Sequence, residues 1–409
     1  MRSRTASVAL TAMVLLAGVA TAGDLVADFV ARHWKAPLAP QGTPPSRFTP
    51  VEASLAPESC GACHPAQLAD WKTSLHAKSM GPGVAGQLAD MLHADTASAL
   101  SCYRCHAPLA EQRPLNAAGQ TFEPNPVFDA ALGAHGIPCA GCHVRAHERF
   151  GPPRRAGSLA SAAPRDTLPH GGVTRTPAFL SSEFCRTCHQ FAPDEFRLNG
   201  KLLENTYNEW KASRYAREGV QCQDCHMPDR RHRWRGIHDA DMVRGGVTIT
   251  LAPDAPRLRT GAVAALTLRL RNTGVGHAFP TYVTPRVVMR AEQVDGDGGT
   301  IAGTRVERTI ERAVEVDLSR EIRDTRLMPG RAAILTYQRK IDPRAAHVRV
   351  AVVVEPDAFY ARFFATVLKE NLVEAGAGRG RAQIERAHED ARRSPFTIFE
   401  RAIAVEARR

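Results

Sequence analysis

The sequence predicts an α+β chain made of two unlike parts. A mostly helical or irregular part comes first, and an antiparallel β-sandwich of immunoglobulin-like type with C-terminal helices follows. Three observations predict this. All ten cysteines of the 409 residues lie at or before Cys225. Past Gly245 strict alternation takes over, as in Leu266, Leu268 and Leu270 against Thr267, Arg269 and Arg271. Beyond residue 357 the pattern turns helical, over 359–372 and 383–393, until Pro395 stops it.

Taken in order, residues 1–22 read as a secretory signal peptide. Arg2 and Arg4 are the basic start, Val8 to Val19 the apolar core, and Ala20-Thr21-Ala22 the small-residue cleavage site. That core is short for a bilayer span, and an uncleaved anchor is the competing reading. Residues 23–57 carry Pro37, Pro40, Pro44, Pro45 and Pro50 and read as an extended linker. Residues 58–244 form the cysteine-bearing domain. Within it, Leu68, Trp71 and Leu75 suggest one helix face over 66–80, and a second helix spans 84–94. Residues 145–182 read as a long surface loop and 202–217 as helical. Residues 245–356 are the sandwich, with strands expected at 247–251, 266–270, 286–294, 333–341 and 348–354. Asp295 to Gly299 is a turn cluster. Residues 357–409 close the chain with two helices and a last strand at 397–405.

The cysteines are not scattered. They form Cys60-Gly-Ala-Cys63-His64, Cys102-Tyr-Arg-Cys105-His106, Cys139-Ala-Gly-Cys142-His143, Cys185-Arg-Thr-Cys188-His189 and Cys222-Gln-Asp-Cys225-His226. C-x-x-C-H is the attachment signature of c-type haem. Two thiols add across the vinyl groups of one porphyrin edge, and the adjacent imidazole binds iron from below. Zinc ribbons and disulfides need no histidine after each second cysteine. With 16 histidines in 409 residues, chance does not put one after all five pairs. The expectation is five covalently attached haem c groups, with His64, His106, His143, His189 and His226 on iron. The uneven spacing of the motifs argues against a solenoid.

Eleven histidines lie outside the motifs, and five bis-histidine haems would use five of them. The candidates for the opposite faces are His76, His93, His170, His238 and His277. His232 competes with His238, and His135 and His147 flank the third motif. His277 stands in the glycine-flanked Gly274-Val-Gly-His277-Ala-Phe-Pro280 loop of the later domain, shaped to present a side chain across to the first. His33, His347 and His388 read as surface residues.

These residues resemble the multihaem c-type cytochromes. C-x-x-C-H followed by Trp71-x-x-Ser74-x-His76 is similar to the family of the tetrahaem cytochrome that serves hydroxylamine oxidoreductase. Residues 139–145, 184–191 and 208–241 and the His277 loop carry the same resemblance, which covers roughly residues 55–285. It implies haems packed in pairs as a wire. The superfamily also holds pentahaem nitrite reductases with one Lys-ligated C-x-x-C-K haem, and this chain departs from them because every motif ends in His. Its hydroxylamine oxidoreductase-like members use a cross-linking tyrosine; Tyr207 and Tyr215 are present without a motif to mark them.

The formal charge of +11 would fall to +9 with the loss of Arg2 and Arg4. A basic exported haem protein suits an acidic redox partner, not nucleic acid. The leading expectation is a periplasmic or extracellular electron carrier between redox partner proteins, with a membrane-associated donor possible in principle. The alternative is an oxidoreductase for a small nitrogen or sulfur oxyanion. Arg154 and Arg155, or Arg230, Arg231, Arg233 and Arg235, would gather such an anion or pair with haem propionates.

Overall fold

The computed structural model describes residues 22–158, 162–253, 258–369 and 378–406. The signal-peptide reading falls outside them, apart from Ala22. Among the described residues no helix is long and apolar enough to cross a membrane.

The first half is a set of short helices joined by irregular chain. Contrary to the extended-linker expectation, Ala22–His33 is a helix, α1. Its Phe29 stacks on His33 and tilts against Phe179, so the stretch is anchored by aromatic packing and not by its prolines. Helix α2, Pro65–Thr73, ends sooner than its apolar spacing suggests. The Ser74 hydroxyl caps the Trp71 carbonyl at 2.7 Å, which leaves Leu75 outside the helix and 49% exposed. Helices α3, Pro82–Ala94, and α4, Thr96–His106, follow, with Asp95 capping the second through Ser98 N–H at 3.2 Å. Residues 145–182, expected as loop, include a short ladder in which Glu148–Gly151 pairs with Val144–Arg145 and Thr174–Arg175. The helix expected over 202–217 is shorter: α5, Thr206–Lys211, then the single turn Arg214–Arg217.

From Val247 the sheets begin. Strand β3, Val263–Asn272, lies between β1, Val247–Pro253, and β7, Ala332–Lys340, and pairs with both in an antiparallel three-stranded sheet. A six-stranded sheet runs in the order β6 (Glu321–Asp324), β5 (Val306–Val314), β4 (Arg286–Asp295), β8 (Ala345–Glu355), β9 (Phe396–Glu406) and β2 (Leu258–Arg259). All its pairs are antiparallel except β9 with β2. The period-2 pattern decides which side faces in. Leu266, Leu268 and Leu270 meet Met289, Val350 and Val352 in one continuous core, while Arg269 and Arg271 point away. Helices α6, Ala358–Lys369, and α7, Arg381–Arg393, return to the first half. There Gly86 of α3 lies so close to Gly380 and Ile384 that a Cβ would collide with both.

Candidate haem site

Four of the five motifs lie within helix, and the first straddles the end of the helix Pro57–Gly61, with Cys63 and His64 just beyond it. The second closes α4, and the third, fourth and fifth sit in Cys139–His143, Glu183–His189 and Cys222–His226. In such a turn the two thiols and the imidazole project from one short segment, as attachment to a single porphyrin edge demands. No two of the ten cysteines are joined in a disulfide. Among the described residues no group of three or more His, Cys, Asp or Glu converges as a metal-ion site, which leaves no support for zinc.

One branched cavity of about 3700 Å³ runs through this half, and all ten cysteines and all five motif histidines line it. Pockets for a single small molecule are roughly 300–1,000 Å³, so this space suits several large planar groups. The segments fit such groups chemically: paired thiols, neutral imidazoles and arginines around mostly apolar walls. The motifs also touch one another. Thiols interact between Cys60 and Cys139, between Cys105 and Cys188, and between Cys185 and Cys222. The third motif reaches the fourth through Cys142. The fourth motif thus meets the second and the fifth through thiol contacts, the first meets the third, and the third senses the fourth electrostatically.

Several imidazoles are pre-set for a metal. Nδ1 donates to a backbone carbonyl in His106 (Ser79, 2.8 Å), His143 (Phe150, 2.8 Å) and His226 (Arg235, 2.7 Å). Outside the motifs the same holds for His170 (Gly172, 3.1 Å), His232 (Arg230, 2.9 Å) and His277 (Ala278, 2.9 Å). That bond fixes the tautomer and leaves the Nε2 lone pair for coordination. Burial then holds the rings neutral. It pushes His76 down to about 3, with His189 adding to the effect, and His277 and His143 down to about 4.

Three imidazole pairs have a telling separation. Ring centres are 6.2 Å apart for His76 and His189, 6.2 Å for His143 and His232, and 6.3 Å for His226 and His277. A metal–nitrogen bond of about 2 Å on each side, plus the offset of each nitrogen from its ring centre, puts two trans imidazoles about 6 Å apart. His170 interacts electrostatically with His64.

Other candidates fall elsewhere. His93 is exposed at the end of α3 and does not line the cavity. The helix turns it outward because Leu88 occupies the inward face. His238 lines the cavity, but its Nε2 is engaged by the Asp357 carboxylate at 3.0 Å. His147 gives its Nε2 to the Gly42 carbonyl at 3.0 Å, and His135 stands 3.6 Å from Glu58. His33, expected at the surface, is 4% exposed and bonds the Cys142 carbonyl at 2.8 Å. It braces the third motif from α1, and no spacing in the sequence ties it there. Tyr207 bonds Glu183 and Tyr215 bonds the Thr273 carbonyl, so both hydroxyls are engaged. The two arginine clusters meet: Arg155 bonds the Asp229 carbonyl at 2.6 Å and Arg230 the Pro153 carbonyl at 2.9 Å. Arg231 and Arg233 instead share the buried Asp70 carboxylate, which the Arg231 hydrogen bond holds well below the usual range.

The family described as cytochrome c554 and c-prime matches residues 59–128, the segment of the first two motifs. Over that segment the chain is similar to this family of c-type cytochromes. A crystal structure of a penta-heme cytochrome c552 from Thermochromatium tepidum resembles this chain over 87% of its length and 100% of the other chain, at 20% identity and TM-score 0.57. That likeness shows a shared fold. The Bacillus subtilis sporulation control protein Spo0M aligns with 31% of this chain and 56% of its own at 12% identity, and a TM-score of 0.12 carries no argument. No curated protein matches the sequence. The family and the Thermochromatium tepidum protein both carry the names of c-type cytochromes.

Proposed function

We propose that this chain is an exported pentahaem electron carrier, passing electrons between periplasmic or membrane-linked redox partners. Its domains are the pentahaem unit of residues 58–244, the sandwich of 245–356, read as immunoglobulin-like, and the C-terminal helices. The observation that carries the reading is the trio of imidazole pairs at trans-ligand spacing. On it, His76 faces His189, His232 faces His143 and His277 faces His226, with His170 facing His64. Haem supplies one-electron chemistry. The chain supplies neutral, oriented imidazoles on both faces, so oxidation state changes with little rearrangement. The thiol contacts, with the electrostatic link through Cys142, support a route from the first haem through the third to the fourth, where the second and fifth join. Intact-protein mass tests the count: the gain should equal five haems, and a gain of four or fewer sinks it.

One observation favours the oxidoreductase reading for one haem. Among the described residues His106, like His64, has no imidazole at the ring separation of the three pairs, and for His64 alone an electrostatic link, to His170, suggests a partner. The His238–Asp357 pair and Tyr360 line the same cavity, and Tyr360 interacts electrostatically with Cys102. An open face there would admit a nitrite- or hydroxylamine-like ligand. Electron paramagnetic resonance separates the readings. A pure carrier shows only low-spin iron, whereas a high-spin signal that shifts with added nitrite or hydroxylamine favours the enzyme.

A further inference from the structure

One loop of the sheet half, Gly274–Thr281, lines the cavity of the first half, and the buried Glu209 carboxylate holds that loop from the other side. Glu209, on α5, is 6% exposed. Its Oε2 accepts the Ala278 N–H at 3.1 Å and the Thr281 hydroxyl at 2.9 Å. Its Oε1 pairs with Arg326 at 2.9 Å, and the same guanidinium donates to the Thr281 carbonyl at 2.8 Å. Arg326 continues to Asp324 at 2.9 Å, which binds Lys201 at 2.7 Å. From within the sheet half, Asn272 donates to the His277 carbonyl at 3.0 Å. Trp210 and Tyr215 close on Gly276, where a Cβ would already be tight against Trp210.

We propose that Glu209 is a positioning residue for His277, locking the loop so that its imidazole lies parallel to His226 across one iron. This rests on the reading of His277 as a ligand. The physical case is that among the described residues no other carboxylate is seen to bond the loop's backbone, and that the Glu209 contacts fall within the four residues directly after His277. His277 Nδ1 donates to the Ala278 carbonyl, and the Ala278 N–H is the group Glu209 holds. Losing Glu209 therefore frees the peptide unit that presents the ring and leaves Arg326 buried without that partner. Nothing in the sequence around Glu209 marks it, because its partners come from the other half.

The test uses the full-length holoprotein and three variants, His277→Ala, Glu209→Ala and Glu209→Gln, read by electron paramagnetic resonance and spectroelectrochemistry, with haem mass to confirm loading. His277→Ala should turn one low-spin haem high-spin; if every haem stays low-spin, the ligand reading fails and the proposal with it. Where His277→Ala does convert one haem, Glu209→Ala should raise the high-spin fraction of that same haem by about tenfold and move its midpoint potential alone. Glu209→Gln keeps an acceptor for the Ala278 N–H and should restore most of the low-spin signal. Unchanged low-spin signals and potentials in Glu209→Ala would overturn the positioning role while leaving His277 as a ligand. If Glu209→Ala does not load haem, Thr281→Val takes its place with the same readouts: a smaller shift confined to that haem supports the proposal, and no shift overturns it.

Discussion

The two halves of the molecule hold themselves together in different ways. From Val247 onward, the two sheets share one continuous core in which Leu268, Leu270, Val350 and Val352 are fully buried. Before Val247 the buried apolar residues fall into small separate clusters, such as Leu38, Leu109 and Leu132, or Leu88, Ala99 and Tyr103, around the branched cavity. The sheet half closes on its own side chains. The motif half keeps much of its apolar surface on the walls of that cavity. The difference teaches that, on the proposed function, covalently attached haem would do for the first half what hydrophobic burial does for the second.

The largest test of this contrast removes one attachment. Cys139→Ala with Cys142→Ala, in the motif that touches the first and senses the fourth, should strip hydrogen-exchange protection from residues 22–246 while 247–406 keep theirs. Loss in both halves together would break the contrast. Next comes the joint. Arg312 is 1% exposed, pairs with Glu321 at 2.9 Å and donates to the Leu198, Lys201 and Leu202 carbonyls of the other half. Arg312→Ala strips several buried carbonyls of a charged donor, at about 1–3 kcal/mol each, and leaves Glu321 to its ion pair with Lys201 at 2.7 Å, so it should cost about 3–5 kcal/mol in denaturant unfolding. Leu268→Ala, inside the sheet core, should cost about 2–5 kcal/mol and leave the haem absorption spectrum unchanged. A spectrum that moves would mean the halves are more tightly coupled than their cores suggest.

The smallest effect is acid loosening of the joint. Burial alone would raise the Asp324 carboxyl, but Arg326 and Lys201 outweigh it and hold the group well below its ordinary value. A depressed native pKa contributes stability that is complete above the unfolded value of about 3.9 and is lost as pH falls below it. Protection at residues 197–203 should therefore drop below about pH 4, and Asp324→Asn should remove that dependence. A dependence that survives the substitution assigns it to another carboxylate.

Much of this was legible beforehand because it is local. The strands that alternate cleanly, Leu266 to Leu270 and Val348 to Val354, stand within β3 and β8. Strand β5 was missed: its sequence Val-Glu-Arg-Thr-Ile-Glu-Arg-Ala-Val carries four charges, and one of them, Arg312, faces inward. An inward arginine breaks the alternation rule and makes sense only beside Glu321 and the carbonyls of the other half. His277 was marked by its glycine-flanked loop. From sequence His238 stands ahead of His232, and His93 level with His170; in the structure His232 has its ring 6.2 Å from that of His143, while His238 bonds Asp357 and His93 is exposed.

What the sequence determined alone is the chemistry that depends on neighbours along the chain. Two thiols and an imidazole within five residues make an attachment site wherever they occur, because one turn of backbone sets their geometry. What the tertiary structure decided is which imidazole lies across from which, that Glu209 and His33 brace residues far from them in sequence, and how the sheets reach the cavity. Those depend on distances between segments a hundred residues apart, and such distances are set by packing, which no local pattern records.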